Sequence, residues 1–286
     1  MNIQQHLKSF TNSFNKYIAK FMSGNEMKTP LYKAMKYGLL NGGKRIRPYI
    51  VCEFSRMLKI PKKSYQRLAL AVELVHSYSL IHDDLPAMDD DDYRRGKLTT
   101  HKKFDEGTAI LAGNSLLVLA FKILSDSKTH KNSKVRNNLV EQLSLASGHL
   151  GLAGGQGDDI IHAGKKISKN HLCNIHINKT ARLFEFCLLS PLLLANKSAV
   201  KIQNEARKFG LNLGLIFQAT DDLIDYSESS SEKDSSLCNM RRFMSEAEIR
   251  KYCISLANKC TDNSKLFGSK DNSLNKLIYS LASRTS

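Results

Sequence analysis

Hydrophobic residues recur at intervals of three and four along almost the whole chain, the spacing of one face of an α-helix. A first series runs from Ile3 to Phe21. Pro30 suits the first turn of a second helix through Leu40, and Asn41-Gly42-Gly43 is typical of a helix end. Further helices are predicted at about 48–59, 63–82, 106–126, 134–151, 169–195, 198–226, 245–260 and 271–283.

The helical pattern is interrupted by two predicted loops, the charged segment Asp89–Thr100 and the Ser-rich segment Ser227–Ser236. No run of alternating apolar and polar residues predicts a strand, and no flanked Asn-Gly or Asp-Gly pair predicts a hairpin. No internal repeat is visible. The pattern therefore predicts a single all-α domain.

The charge of the chain is strongly basic, with 43 Lys plus Arg against 27 Asp plus Glu and a net charge of +16. Such an excess favours an anionic partner: a nucleic acid, a membrane surface or a phosphorylated small molecule. Lysine recurs throughout the chain, which also fits a general drift at solvated positions. Because no basic helix, zinc motif or aromatic-rich basic sheet is present, we expect no nucleic-acid partner.

The cysteines and the apolar stretches indicate a soluble, cytoplasmic protein. The six cysteines form no C-x-x-C pair, so neither a disulfide framework nor a cysteine zinc site is expected. The first ten residues lack the apolar core of a signal peptide. The longest apolar stretches, Leu116–Phe121 and Leu188–Ala195, are shorter than the ~20 residues of a membrane span, so we expect none.

Two clusters of aspartates stand out, each at the end of an apolar helix. The first contains Asp83 and Asp84, still on the predicted helix, and continues to Asp89–Asp92. We interpret Asp90–Asp92 as a solvated turn. Like charges so close together repel unless a cation binds, which makes the helical pair the stronger candidate for a site.

The second cluster contains Asp221, Asp222 and Asp225. Asp221 and Asp225 are four residues apart and share one helix face, where like charges cost stability without a cation. Carboxylates are the hard oxygen ligands of Mg²⁺, which commonly bridges one or two of them to substrate phosphates. If the two clusters face each other, they predict a polynuclear Mg²⁺ site for a diphosphate.

Basic residues near glycines are candidates for gripping the phosphates. Gly42–Pro48 is glycine-rich and contains Lys44 and Arg47 but lacks the spacing of a P-loop. Arg94-Arg95 directly follows the acidic run, and Lys179-Thr180 lies within a long apolar helix. Taken alone, a basic loop of this kind is usually a solvated surface loop, and a lysine beside an apolar helix face usually snorkels.

Five segments together resemble the trans-prenyl diphosphate synthases, and most closely the bacterial farnesyl diphosphate synthases. They are 35–48, 73–101, 154–159, 175–184 and 214–226, in the order and spacing of that family. The resemblance implies one polyprenyl synthase domain over 1–286, divergent from about 227 onwards. It also implies an all-α bundle around a deep central cavity, in a homodimer.

The implied reaction is a head-to-tail condensation that depends on Mg²⁺. Dimethylallyl or geranyl diphosphate ionises, isopentenyl diphosphate attacks the cation, and loss of a proton completes farnesyl diphosphate (C15). A geranylgeranyl (C20) synthase and a catalytically silent subunit of a heteromeric synthase are the alternatives. A terpene cyclase would not need the isopentenyl diphosphate site.

The resemblance also implies roles for individual residues. About three Mg²⁺ would be held by Asp83, Asp84, Asp89 and Asp221, with Asp222 and Asp225 in support. The isopentenyl diphosphate site would comprise Lys44, Arg47, His76 and Arg95. The allylic diphosphate would meet Arg94, Lys179 and Gln218, with the Thr180 hydroxyl facing the cation.

Three further positions carry expectations of their own. An aromatic residue at Tyr78, together with the insertion Pro86-Ala87, implies that this ring limits product length to C15. Asp158 replaces the apolar or small residue that is more usual before Asp159. The loop after the second cluster is shorter than usual and has Asn239 in place of a lysine, so Lys233 is the candidate for closing the allylic site.

Overall fold

The helical periodicity of the sequence is realised through most of the chain. The computed structural model describes residues 2–24, 27–197, 199–228, 238–264 and 273–284. The elements up to residue 125 are α1 (Ile3–Ser23), α2 (Pro30–Leu40), α3 (Ile46–Met57), α4 (Lys62–Asp83), β1 (Tyr93–Arg94), β2 (Lys97–Leu98), α5 (Thr100–Lys103) and α6 (Glu106–Ser125). They are followed by α7 (Ser133–Ser147), α8 (Leu152–His162), α9 (Lys169–His176), a π-helical turn (Ile177–Ala181), α10 (Arg182–Leu194), α11 (Val200–Glu228), a 3-10 turn (Met240–Arg242), α12 (Glu246–Ser264) and α13 (Ser273–Ala282). The all-α prediction is confirmed.

The contacts divide the chain into two compact units. The first unit comprises residues 1–52 and 61–140, and the second comprises 53–60 and 141–286. The prediction of one domain over 1–286 stays a prediction.

The first unit is built around α4, which is buried on almost every side between Tyr65 and Ile81. α4 packs against α6 and α2. Gly38 of α2 allows a close approach, because a Cβ there would collide with the side chain of Ile81. This packing places the carboxyl end of α4, which carries the first aspartate cluster, at the edge of the core.

The second unit is built around α10, whose residues from Leu183 to Leu192 are all buried. α10 packs against α11, which in turn contacts α12 and α13. The second aspartate cluster lies in the last two turns of α11. The last two residues of α11, Ser227 and Glu228, belong to the predicted loop; the remainder of that loop lies outside the described residues.

The predicted ends of α2 are confirmed. Thr29 caps its first turn by accepting a hydrogen bond from the backbone of Tyr32, and Asn41 ends it. Gly42 and Gly43 follow with φ angles of 92° and 107°, a region that favours glycine.

Two predictions of local structure were wrong. The segment Asp89–Thr100 is not wholly loop, because it contains the antiparallel pair β1–β2. The predicted helix 134–151 ends at Ser147, and α8 was not predicted, since its glycines are poor helix formers. Tertiary packing overrides that local preference.

Helix α6 corrects the expectation about apolar stretches. By length and composition, its 20 residues are sufficient to cross a membrane. One such helix is weak evidence for a membrane span, because core helices pass the same test. Here α6 packs against α4 and α2. None of the six cysteines, which all lie among the described residues, forms a disulfide, and all except the half-buried Cys173 are buried, as small apolar fillers are.

Candidate functional site

The first aspartate cluster surrounds a tight turn at the end of α4. Asp83 is the last residue of α4 and Asp84 its cap. The chain then folds back, so that the Asp89 amide donates to the Asp83 carbonyl at 2.9 Å. Asp83 is half-buried and Asp89 exposed, so both carboxylates lie next to solvent. Asp90–Asp92 are exposed, as the interpretation of a solvated turn requires.

Asp84 differs from its neighbours because it is buried and paired. Nε of Arg94 donates to its Oδ1 at 2.5 Å, and Nη2 of Arg94 reaches Asp91 at 3.3 Å. Burial raises the pKa of Asp84, although the arginine opposes that shift. An arginine expected at the allylic diphosphate therefore lies at the first aspartate cluster.

The β1–β2 hairpin presents Arg94 and Arg95 in different directions. Its two-residue turn is Arg95-Gly96, with φ angles of 55° and 73°. Positive φ at both positions suits the right-handed twist of a hairpin. Nη1 of Arg95 donates to the Gly42 carbonyl at 2.6 Å. The sequence signal was missed because an arginine occupies the position where asparagine or aspartate is usual.

Four basic side chains cluster around this turn and the start of α3, and we call this cluster the basic pocket: Lys44, Arg47, His76 and Arg95. Nη1 of Arg47 lies 3.5 Å from Nε2 of His76. A Cβ on Gly43 would collide with the guanidinium of Arg95, so glycine makes room for that side chain. Lys44 is exposed beside it. Burial, followed by the charges of Arg47 and Arg95, lowers the pKa of His76 well below its ordinary value.

Arg45, for which the sequence predicted no role, holds the loop that carries Lys44 and Arg47. Its buried guanidinium pairs with Glu73 and donates to the Leu39 carbonyl at 2.8 Å. Nε donates to Asn15 at 2.9 Å. The segment Gly42–Pro48 therefore contains one arginine that stabilises the fold beside candidate ligands of the substrate. The charge of the residues alone does not reveal which is which.

Tyr78 is buried within the first unit, one turn before His82. Their rings meet edge to face, with centroids 5.7 Å apart. His82 packs on α6, with Nε2 3.1 Å from the Ile110 carbonyl. Burial and the nearby Asp83 raise the pKa of Tyr78 to about 12, so it stays a neutral phenol.

In the second unit, the aspartates of α11 have different surroundings. Asp221 is half-buried and Asp225 is exposed, while Asp222 is buried. Arg284, close to the carboxyl end of the chain, pairs with Asp221 and also donates to the Phe217 carbonyl at 2.7 Å. Arg284 was missed because it lies beyond all of the matching segments, where periodicity gives no hint of its long-range partner.

Asp222 belongs to a buried hydrogen-bond network. It accepts from the Met240 amide at 2.8 Å and from Nε2 of Gln218 at 2.9 Å, while Thr180 donates to the Gln218 Oε1 at 2.6 Å. Burial raises the pKa of Asp222. Asn239 donates to the Asp222 carbonyl at 3.0 Å, so this residue holds the end of α11.

Lys179 lies in the π-helical turn, a feature often found at functional sites. Its Nζ donates to Oδ2 of Asp159 in α8 at 2.5 Å. A Cβ on Gly155 would collide with the Lys179 backbone, so this glycine lets α8 approach the turn. The segment 154–159 therefore positions the lysine that is expected to bind the allylic diphosphate.

Gln156 is a third residue for which the sequence predicted no role. Its side chain is buried, and neither amide atom has a hydrogen-bond partner among the described residues. Since a buried amide without partners costs free energy, it is a candidate contact for a polar ligand or water. Lys233, the proposed closing residue, lies outside the described residues.

Comparison with known proteins gives the family of the chain. The polyprenyl synthetase family model matches residues 28–239. The farnesyl diphosphate synthase of Escherichia coli is 39% identical over 227 residues, which are 79% of this chain and 76% of that protein. That of Micrococcus luteus is 43% identical over 199 residues, 70% of this chain and 67% of the relative.

A solved structure is similar to this chain over nearly its whole length. The geranyltransferase from Legionella pneumophila superposes with a TM-score of 0.89 at 31% identity, covering 99% of this chain and 98% of that one. The chain belongs to the polyprenyl synthetase family, which confirms the resemblance drawn from the five segments.

Proposed function

We propose that this chain is a Mg²⁺-dependent prenyltransferase that condenses isopentenyl diphosphate with dimethylallyl or geranyl diphosphate to give farnesyl diphosphate. The family membership and the farnesyl diphosphate synthases among its relatives support this proposal. A C20 product and a silent subunit are the alternatives that the experiment below separates.

The observation that carries the proposal is the hairpin turn of the first unit. Arg94 pairs with Asp84 of the first aspartate cluster, while the next residue, Arg95, reaches Gly42 beside Arg47 and His76. Consecutive residues therefore join the candidate metal cluster to a metal-free basic pocket. Two diphosphates that react with each other require such adjacent but chemically different surroundings.

The basic pocket suits isopentenyl diphosphate. Arg47 and Arg95 supply planar, forked donors for phosphate oxygens. His76, in its neutral form, adds a hydrogen-bonding group that carries no charge. Lys44, exposed at its edge, would add a mobile positive charge.

The aspartates fit Mg²⁺ in their donor chemistry. Asp83 and Asp89 offer hard oxygen ligands next to solvent in the first unit. Asp225 would do so on α11, and Asp221 would join it on the same face after giving up Arg284. Asp84 would join after giving up Arg94, and Asp222 would act by fixing α11. Bound Mg²⁺ would neutralise the charge that develops on the departing allylic diphosphate.

The remaining groups would act on the allylic substrate. Lys179 and Arg94 would each bind diphosphate oxygens and stabilise the charge of the leaving group. Thr180 and Gln218 are held rigidly by their mutual hydrogen bond and would line the path of the cation. No side chain needs to act as base, because the released diphosphate would accept the proton. Lys233 would add positive charge on closure.

Product length, assembly and location complete the proposal. The buried ring of Tyr78, one and a half turns before Asp83, would block growth beyond C15. The exposed apolar residues Ile110, Leu111 and Val118 on α6 support a homodimer. We propose a cytoplasmic enzyme that acts on small isoprenoid diphosphates.

The decisive experiment incubates the purified chain with Mg²⁺, isopentenyl diphosphate and either starter, and resolves the products by length. We expect C15. Arg47→Ala should raise the KM for isopentenyl diphosphate much more than that for geranyl diphosphate. The control Lys97→Ala, on the same hairpin, should change neither constant strongly. Absence of product would contradict the enzyme in favour of a silent subunit, and C20 would contradict the assigned length.

The aspartate cluster is tested in the same assay. Asp83→Ala should lower kcat by about two decades, or ~3 kcal/mol of transition-state stabilisation. The fold should persist, because removing one of several like charges relieves repulsion. Near-normal turnover of Asp83→Ala at saturating Mg²⁺ would overturn the metal assignment.

A further inference from the structure

Asp158, His162 and His171 form a cluster outside the groups assigned to the reaction. Asp158 and His162 are four residues apart on one face of α8, and His171 comes from the first turn of α9. Nδ1 of His162 lies 2.8 Å from Oδ1 of Asp158, and Nε2 of His171 lies 3.0 Å from Oδ2. One carboxylate therefore contacts two imidazoles.

The chemistry of this cluster is that of a transition-metal site. Its donor atoms all lie within 4.8 Å of one another, so small side-chain movements would place them around one ion. Two imidazoles and one carboxylate suit Zn²⁺ and its neighbours better than Mg²⁺, which prefers oxygen ligands alone. The side chains are 34%, 28% and 36% exposed for Asp158, His162 and His171, leaving a path for entry and open coordination positions.

The backbone around the cluster is ordered to hold it. The connection between α8 and α9 turns through Gly164, at a φ of 73°, and the Lys165 amide donates to the His162 carbonyl at 3.0 Å. Ser168 caps α9 by accepting from the His171 amide at 3.1 Å. Both histidines therefore sit at defined positions of capped or closed turns.

We propose that Asp158, His162 and His171 bind one divalent transition-metal ion, with Zn²⁺ as the best fit, and that this ion ties α8 to α9. The site uses none of the aspartates assigned to Mg²⁺. It also accounts for an aspartate at position 158. Its neighbour Asp159 pairs with Lys179, so the tie would steady the helix that holds that lysine.

The test measures binding of Zn²⁺, and of Co²⁺ as a spectroscopic probe, to the full chain in excess Mg²⁺. The excess keeps the oxygen-only clusters loaded with Mg²⁺. We expect one equivalent to bind, Co²⁺ to give the visible absorption of nitrogen coordination, and Zn²⁺ to raise the melting temperature. His162→Gln and His171→Gln should each weaken binding by at least about tenfold and abolish the melting shift.

His149→Gln is the matched control, because His149 is exposed and lies just before α8. It should bind Zn²⁺ as the unaltered chain does. Asp158→Asn keeps the size of the side chain but removes its charge, and should also weaken binding. Melting curves without added metal show whether each variant folds. Failure of the unaltered chain to bind, or equal binding by all variants, would overturn the proposal without bearing on the prenyl transfer.

Discussion

At the residue scale, the most informative group is His76, because its surroundings determine which side chains of the basic pocket carry the charge. Burial and the neighbouring Arg47 and Arg95 disfavour its charged form. The pocket thus keeps positive charge on arginines, which stay protonated over the physiological range. A bound diphosphate would offset the repulsion between these groups.

This arrangement predicts how stability depends on pH. The pKa of His76 in the native state lies below the unfolded value of about 6.5. The stability that neutral His76 contributes to the fold is therefore fully present above that pH. As the pH falls below about 6.5, the unfolded chain binds a proton that the native chain does not, and stability is lost. Urea unfolding of His76→Gln should show a weaker loss in this range.

The control for that measurement is His149→Gln, which changes an exposed histidine. It should reproduce the pH dependence of the unaltered chain. Identical curves for His76→Gln and the unaltered chain would show that His76 titrates alike in both states.

A second residue-scale prediction concerns Arg284. Its guanidinium pairs with Asp221, donates to the Thr220 hydroxyl at 2.6 Å and lies 4.4 Å from the centre of the Phe217 ring. Since hydrogen bonds to charged groups are worth more than neutral ones, Arg284→Ala should lower the unfolding free energy by about 1.5–3 kcal/mol. Chemical denaturation measures this change.

Arg250→Ala provides the comparison, because Arg250 makes an exposed pair with Glu246 on α12. A pair of this kind contributes only about 0.3–0.5 kcal/mol. Equal effects of the two substitutions would show that the Arg284 contacts add little to the fold.

At the scale of elements, α8 shows how packing overrides propensity. Its glycines disfavour a helix locally, yet Gly155 is needed because any side chain would strike the backbone of the π-helical turn. Gly157, two residues later, has open space around its Cβ position. The same substitution at these two positions therefore separates packing from propensity.

Gly157→Ala should stabilise the chain by about 0.5–1 kcal/mol, since alanine is the better helix former. Gly155→Ala should destabilise it by about 1–3 kcal/mol through overpacking and should displace Lys179. Thermal melting and the KM for the allylic diphosphate would report both effects. If Gly155→Ala behaves like Gly157→Ala, the close approach of α8 is not required.

At the scale of the whole molecule, α6 explains two observations together. One side of this helix packs on α4 and α2 within the first unit, while Leu111 and Val118 stay exposed. A helix that is apolar on both sides has the composition of a membrane span. It can equally pack against the core of its own chain on one side and against a partner chain on the other.

We therefore predict that the protein is a homodimer through this face. Light scattering should give twice the chain mass of 32.2 kDa. Val118→Glu should shift the protein toward the monomer, because it places a charge in the apolar interface. Val200→Glu, at an equally exposed valine on α11, is the control and should stay dimeric. A Val118→Glu protein that stays fully dimeric would place the interface elsewhere.

The sequence by itself determined the features that depend on short-range order. Helical periodicity predicted the all-α fold and the ends of α2, because side-chain spacing and turn residues act within a few positions. The aspartate clusters, the basic loop and the five matching segments identified the family for the same reason, since each motif is contiguous.

Only the tertiary structure decided which of these residues meet. It placed Asp222 in a buried hydrogen-bond network and left Asp225 exposed, although both lie within one turn of α11. It brought Arg284 to Asp221 across 63 positions of sequence and joined His171 to Asp158. Such contacts depend on how separate helices pack, and the free energy of that packing is shared among many residues that no local pattern records.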